Sequence, residues 1–351
     1  MKNDLTSIII LNYNGKSFLK NCIESIINNT QREYEIIIVD NNSPDNSGEL
    51  FEKEFTNCNF ILNQENVGVP EGLNIGIQNA NGEFLVFLNN DLTVDVGWLD
   101  AFFSAYEKFG DALYQPKSLK MKDSKQIDGV GNMINLFGFG FSRGKGEIDT
   151  GKYDNKIEEI SYASGTCMFL SKKIIDEIGV FDKILFAYHE EVDLGWRARL
   201  FGYKSYYVSN ALIHHFGSAH WGWSKKKFYL LERNRWIVLL KNYSGKTIVK
   251  LLPGLFIIEI VLLGFFIKKG LFKEKLHGYL SILYSLNHII KNRNIIQSKR
   301  KIKDSELITE FYSNIYIPPE SQESQHTENF SKILTRLSKL CGFYNYLKHL
   351  E

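Results

Sequence analysis

Ser7-Ile-Ile-Ile-Leu11 is a continuous run of apolar, mostly β-branched residues, the mark of a strand buried on both faces. Asn12-Tyr-Asn-Gly15 breaks the run, and Phe18, Leu19, Cys22, Ile23, Ile26 and Ile27 then recur at helical spacing. The alternation repeats downstream. Glu35 to Asp40 reads as a second buried strand, closed by the turn-rich Asn41-Asn-Ser-Pro-Asp-Asn-Ser-Gly48. Helical residues follow, then a short strand at Phe60-Ile-Leu62, a loop from Asn63 to Gly68 and a helix from about Gly72 to Asn79. Glu83 to Leu88 is another strand and ends in Asn89-Asn90-Asp91. This order predicts an α/β fold whose mostly parallel sheet carries helices on both faces. In such sheets ligands bind beyond the carboxyl ends of the strands. The polar groups at Asn12, Asp40, Asn63 to Gly68 and Asn89 to Asp91 all follow strands, so they mark the expected binding edge.

From Lys117 to about Ile160 the pattern weakens. Phe137 to Gly146 is glycine-rich, aromatic and basic, which predicts a mobile loop over the site and not a core element. Its spacing is not a dinucleotide-binding fingerprint. Regularity returns with a strand at Ser164 to Leu170, a helix through Ile174 and Ile178, and strands at Gly202 to Val208 and Ala211 to Phe216. Between them lies Phe186-Ala-Tyr-His-Glu-Glu-Val-Asp-Leu-Gly-Trp-Arg197, with Glu190, Glu191 and Asp193 crowded beside aromatics. Acids are favoured at a helix start by the dipole, which is the ordinary explanation. The chemical one is a carboxylate that takes a proton from a hydroxyl. Asp91 fits either a helix cap or a hard oxygen ligand for Mg²⁺ or Mn²⁺. His215 fits either a core histidine or a further ligand of that metal.

The whole chain bounds these readings. It has 351 residues, enough for two or three units around a large core. Lys and Arg number 42 against 40 Asp and Glu, a balance that implies no nucleic-acid partner. Cys22, Cys58, Cys167 and Cys341 lack paired spacing and read as reduced thiols of a cytosolic protein. Met1 leads directly into the first strand with no signal-peptide pattern.

Beyond Tyr229 the chain turns helical. Ile248 to Ile267 is apolar enough to meet a bilayer, but Lys250 and Glu259 make spanning expensive. Phe272, Leu276, Tyr279, Leu280, Leu283, Leu286 and Ile290 form a stripe bordered by lysines and arginines. This combination predicts helices lying on an anionic membrane surface, with a hairpin packed on the preceding domain as the alternative. Ser313 to Asn329 reads as a linker, followed by a terminal amphipathic helix.

The motifs, in this order, resemble the family 2 glycosyltransferases of the inverting GT-A type, closest to the rhamnosyltransferase-like branch. The matching residues are Ser7 to Asn14, Ile37 to Ser43, Asn63 to Gly68, Phe87 to Asp91, Ser164-Gly165, Gly179 to Arg197, and Ile213 to Gly217. The resemblance covers Thr6 to Tyr243. It implies a Rossmann-like GT-A domain over residues 1–243, with a nucleotide-sugar half (1–116) and an acceptor half (117–243). A helical, membrane-associated extension (244–303) and a linker with terminal helix (304–351) follow.

The resemblance also implies roles. Asp40 would hold the base, with Asn12, Tyr13, Asn14, Asn42, Asn66, Gly68, Asn90, Ser164 and Gly165 around the nucleotide sugar and Arg233 on its diphosphate. Asp91 would ligate Mg²⁺ or Mn²⁺, joined by His215. Asn89 stands where the family's first metal-site acid would be. Glu191 would be the base, flanked by Glu190 and Asp193. The implied reaction moves a sugar from a nucleoside-diphosphate donor, dTDP-rhamnose or a UDP-sugar, to a saccharide acceptor, polyprenyl-linked, on the cytoplasmic face of the membrane. The competing class is a non-catalytic nucleotide-sugar-binding scaffold of the same fold, for which Asn89 is the main support.

Overall fold

The apolar runs of the first ninety residues form strands whose alternate side chains enter two separate cores. The computed structural model describes residues 4–217, 224–319 and 324–350. β1 (Thr6–Asn12), β2 (Tyr34–Asp40), β3 (Asn59–Leu62) and β4 (Phe84–Asn89) lie parallel in the order β4-β1-β2-β3. They alternate with α1 (Leu19–Asn29), α2 (Ser47–Glu54) and α3 (Val69–Gln78). Ile8, Ile10, Ile36 and Ile38 bury into the core that holds α1, while Ile9, Ile37 and Val39 bury against α3. A strand covered on both faces must be apolar at every position, which is why this half was readable from the sequence.

The next elements are β5 (Leu92–Val94), α4 (Trp98–Phe109), β6 (Leu113–Lys120), β7 (Asp123–Gly129), β8 (Asn132–Ile134), β9 (Gly140–Ser142) and β10 (Ile157–Ile160). Then come β11 (Cys167–Ser171), α5 (Lys172–Ile178), α6 (Glu190–Leu200) and β12 (Ser205–His215). The sheet's main path runs β10-β12-β6-β11-β4-β1-β2-β3, with β5 paired to β12 and β7 to β6. β11 is antiparallel to both β4 and β6, while β12 is parallel to β6. This insertion brings the start of β11 beside the end of β4.

Three expectations are corrected here. The stretch from Lys117 to Ile160 holds four strands and part of a fifth. Phe137 to Gly146 is a packed hairpin and not a mobile loop: Phe137 is fully buried, and its carbonyl accepts from Arg235 at 3.2 Å. Its glycines serve turns, with φ of 83° at Gly138 and 72° at Gly144. The two strands expected between Gly202 and Phe216 are the single strand β12, whose register shifts between Val208 and Leu212. Such a bulge breaks the alternation on which the sequence reading depends.

The linker reading is also corrected where the chain is described. Ser313 is buried with its hydroxyl on the His349 ring, and Asn314 pairs with the Leu350 backbone. Residues 320–323 lie outside the described residues.

The C-terminal helices are α7 (Lys225–Asn242), α8 (Gly245–Lys268), α9 (Phe272–Tyr284), α10 (Leu286–Lys299), α11 (Asp304–Leu307) and α12 (Ser324–Leu340). Glu259 of α8 accepts from Arg235 at 2.6 Å and Trp236 at 2.9 Å, and pairs with Lys275 at 2.6 Å. The charge that made α8 costly in a bilayer therefore faces the protein.

The carboxyl ends of three strands are tied together. Asn12 donates through Nδ2 to Asp40 at 2.6 Å and to Ser47 at 2.8 Å, and its Oδ1 accepts from Asn90 at 2.7 Å. A Cβ at Gly15 would lie 1.9 Å from that Oδ1, so only glycine fits the turn beneath it. Asn12→Ala leaves buried partners on Asp40 and Asn90 unmet and is expected to lower stability by about 1–3 kcal/mol. Urea unfolding checks this, and an unchanged midpoint would contradict the role of the tie.

Candidate active site

A cavity of about 340 Å³ opens where β1 and β4 end and β11 begins. Of the residues expected at the site, Tyr13, Asn90, Asp91, Ser164, Gly165, Glu190, Glu191 and His215 line it. Leu11, Val69, Leu73 and Phe181 form its apolar wall.

The acids reach the cavity through a constrained loop. Phe186, Tyr188 and His189 all have φ between 61° and 67°, a left-handed conformation that is strained for bulky residues. The loop is over-determined from α7. Asn234 donates to the carbonyls of Leu185, Ala187 and Tyr188 at 2.7 to 2.8 Å. Arg233 donates to Ile184 at 2.6 Å and Leu185 at 3.0 Å. On the other side, the Val69 amide donates to the Phe186 carbonyl at 2.7 Å. Arg233 is thus a loop clamp and not the diphosphate contact expected from the sequence.

Asp193 is likewise corrected. It is fully buried, pairs with Arg197 at 2.9 Å and Lys241 at 3.0 Å, and accepts from Asn242 at 3.1 Å. Burial raises its pKa, but Lys241 and Arg197 outweigh that and hold the carboxyl below its ordinary value. It anchors α6 and is not among the residues that line the cavity. Asn12 and Asp40 are also turned away from the cavity: both oxygens of Asp40 already accept internal bonds, from Asn12 and from Ser43. They form the floor under the site. Asn14, Asn42, Asn66 and Gly68 sit in the flanking turns and are not among its lining residues. Asn42 donates to the Gln64 carbonyl at 3.0 Å, and Asn66 accepts from the Gly68 amide at 3.0 Å.

Glu190 and Glu191 open α6 side by side. The Oε2 atom of each is buried without a hydrogen-bond partner among the described residues. Burial, then the charge of Glu191, pushes Glu190 well above the usual carboxylate range. Burial raises Glu191 as well, opposed by a backbone N–H at the helix start and by a hydrogen bond from Glu190. Both carboxyls are therefore held above the ordinary glutamate range, Glu190 more strongly than Glu191.

Across the cavity, Asp91 Oδ1 lies 3.2 Å from His215 Nε2. Nδ1 of the same ring lies 2.9 Å from Asp128 on β7. Burial pushes the imidazole pKa down, but Asp128 and Asp91 outweigh it and hold it at about 9. No group of three or more His, Cys, Asp or Glu suited to a metal exists among the described residues. Carboxylate plus imidazole is nevertheless a donor set that fits a divalent cation whose remaining positions are filled by phosphate oxygens and water.

Two residues of this region had not been singled out. Lys227 lines the cavity with its ammonium 5.6 Å from the Tyr188 ring, and burial, then Lys145, lowers its pKa. Its one signal was a lysine triplet, Lys225 to Lys227, in the first turn of a helix, where the dipole disfavours cations. Asp128 lies in the stretch without readable periodicity and had no signal.

The comparisons with known proteins agree with this geometry. Residues 7–179 match the model described as glycosyl transferase family 2. The chain is 25% identical over 302 residues to the low-salt glycan biosynthesis hexosyltransferase Agl10 of Haloferax volcanii, covering 84% of this chain and 93% of that one. It is 22% identical over 236 residues to the N-acetylglucosaminyl-diphospho-decaprenol L-rhamnosyltransferase of Mycobacterium tuberculosis, covering 60% and 76%. Among solved structures, GalNAc-T7 with UDP, GalNAc and Mn²⁺ superposes with a TM-score of 0.58 at 18% identity, over 69% of this chain and 48% of that one. That likeness shows a shared GT-A fold. Other curated relatives match in part only: the chain spans 15% of the length of the Streptococcus pneumoniae glycosyltransferase GlyA, at 30% identity over 104 residues.

The acid pair carries a stability consequence with a definite sign. Folded-state pKa values raised by burial give stability that is fully present below the ordinary glutamate range and is lost as pH rises through the raised values. Glu191→Gln is therefore expected to melt above wild type near pH 8 and to converge with it near pH 4.5. A gap in melting temperature that does not change with pH would contradict the buried-pair reading.

Proposed function

We propose that this chain, whose residues 7–179 match the family 2 glycosyltransferases, transfers a sugar with inversion from a nucleoside diphosphate to a hydroxyl of a membrane-presented saccharide, with Glu191 as base. The carrying observation is the buried acid pair, its free oxygens on the wall of a cavity that also holds Asp91 and His215. The scaffold reading is set aside, because a protein that only binds has no use for two unsatisfied buried carboxyls at such a cost.

In this reading Glu191 accepts the proton of the acceptor hydroxyl as its oxygen bonds to the anomeric carbon. The bond from that carbon to the diphosphate oxygen breaks, and the nucleoside diphosphate leaves with the electron pair. A divalent cation, Mg²⁺ or Mn²⁺, held by Asp91 and His215 would supply neutralising charge for the diphosphate. Lys227 adds a fixed positive charge on the same wall. Glu190 lies beside Glu191 at the helix start and lines the same cavity. The rigid loop from Leu185 to His189 fixes the pair, so the proton acceptor needs no reorganisation. dTDP-rhamnose and UDP-sugars are the favoured donors; the name of the mycobacterial relative supports rhamnose as the sugar.

The acceptor class rests on the outer helices. Val249, Leu252, Phe256, Ile260 and Ile267 of α8 are 50–68% exposed, and Phe272, Leu276, Leu280 and Leu283 of α9 are 41–59% exposed. They recur every three or four residues, so each helix turns one apolar stripe outward. α8 is the one described helix long and apolar enough to cross a membrane, by length and composition. Its inner face is held by Glu259, which favours lying on the bilayer over crossing it. Lys268, Lys269 and Lys273 border these stripes. The protein is accordingly proposed to act at the cytoplasmic face of the membrane on a polyprenyl-linked saccharide in cell-surface glycan synthesis.

Two experiments test this. Glu191→Gln is expected to reduce transfer by roughly 10²- to 10⁴-fold while donor binding survives; turnover near wild type would move the base elsewhere. In sedimentation with anionic liposomes, wild type should bind and be released in large part by high salt. Replacing Leu276 and Leu280 by glutamate should abolish the binding. Protein that ignores such liposomes at low salt would remove the main support for a lipid-linked acceptor.

A further inference from the structure

We propose that Asp128 is a positioning residue that fixes the His215 ring so that Nε2, and not Nδ1, is presented with Asp91 to a divalent cation. The inference rests on the reading of Asp91 and His215 as a cation site.

The backbone at His215 is pinned from both sides. Its carbonyl accepts from the Met121 amide at 2.8 Å, and the Phe216 amide donates to the Asp91 carbonyl at 2.9 Å. In register, His215 stands opposite Leu92 on β5 and Lys120 on β6. The main chain therefore sets where the side chain starts, but not how the ring is turned or which nitrogen faces the cavity. That is set by the two carboxylates on the ring: Asp128 at 2.9 Å on Nδ1 and Asp91 at 3.2 Å on Nε2.

The two carboxylates are not equivalent. Asp91 lines the cavity with His215, whereas Asp128 is absent from that lining and faces a smaller adjoining cavity of about 280 Å³. Asp128 is itself held, by the Ser118 hydroxyl at 3.3 Å and by Lys145, whose Nζ is 3.5 Å from its second oxygen. Its side chain is 14% exposed, so little water competes for the histidine N–H. A carboxylate so placed keeps Nδ1 donating, and Nε2 is then the nitrogen for which a cation on Asp91 competes. A carboxylate behind a histidine fixes tautomer and ring orientation and raises the basicity of the far nitrogen, and its loss typically weakens metal affinity 10- to 100-fold. The arrangement matters in this chain because Asn89 is not an acid. With one carboxylate and one imidazole as the protein donors, the orientation of the imidazole decides much of the affinity.

The test is Mn²⁺ titration of the full chain followed by electron paramagnetic resonance, with UDP present, on wild type, Asp128→Asn and Asp128→Ala. UDP affinity without metal and melting temperature are measured in parallel. The expected result is a 10- to 100-fold weaker Mn²⁺ affinity in both variants, with metal-free UDP affinity unchanged. Nitrogen NMR of His215, taken above pH 9 where the imidazole is neutral, should show the Nδ1–H tautomer in wild type and a loss of that preference in Asp128→Ala. Equal Mn²⁺ affinity in a wild type that binds the ion and in variants that fold would overturn the role of Asp128 alone. A wild type that binds UDP but no Mn²⁺ would instead overturn the cation site itself, and this inference with it.

Discussion

One hydrogen-bonded side chain, Asn12, holds together the edge on which the site is built. It joins the ends of β1, β2 and β4 through Asp40, Ser47 and Asn90, all out of water. Parallel strands are joined by crossovers and not by tight turns, so the connections themselves do not bridge their carboxyl ends. Here the tie is polar, fully buried and satisfied. It fixes the position of Asn90, and hence of Asp91 one residue on, against the chain that enters β11 after Thr166. The cavity inherits its geometry from that network.

A second fixed point comes from buried charge. Asp193 meets Arg197, Lys241 and Asn242, while Asp182 pairs with Lys241 and His288. These groups bind the first turn of α6 to α7 and to the C-terminal helices. Breaking one partner out of such a network leaves an unpaired buried charge, which is strongly destabilising. The consequence is directional: with Asp193 held on the inner side of α6, Glu191, two residues before it, is left on the opposite side and lines the cavity. A proton acceptor that must be buried and ready is presented by neighbours that cannot move. The extension from α8 onward continues the same logic, since Glu259 joins it to Arg235 and Lys275 and leaves the opposite faces apolar and outward.

Much of this was legible in the sequence where one physical requirement governed each residue. The strands β1, β2 and β4 had to be apolar throughout, and Ser7 to Leu11 shows it. Strand ends and the crowding of acids marked Asp91, His215, Glu190 and Glu191 as candidates, and the family resemblance implied that they share one site. Asp193 and Arg233 illustrate the limit. Their residue types suit catalysis and phosphate binding, but whether a charge faces a cavity or a buried partner depends on contacts with Lys241 or the Leu185 carbonyl, tens of residues away. Asp40 was read as a lining residue for the same reason. The region from Lys117 to Ile160 was opaque because its strands are short, half exposed and bulged, so neither period survives long enough to be read. Asp128 emerged only when β7 was paired with β6, the strand that also pairs with β12 and so brings Asp128 to His215.

The central claim is a single direct displacement in which Glu191 takes the proton and no protein group attacks the sugar. The most direct measurement is the anomeric configuration of the product, read by proton NMR while wild type turns over an anomerically pure nucleotide sugar. The account predicts inversion at the anomeric carbon from the first product formed. Retention would contradict it, because retention calls for a second displacement or a return of the leaving group to the same face, neither of which this arrangement of side chains supplies.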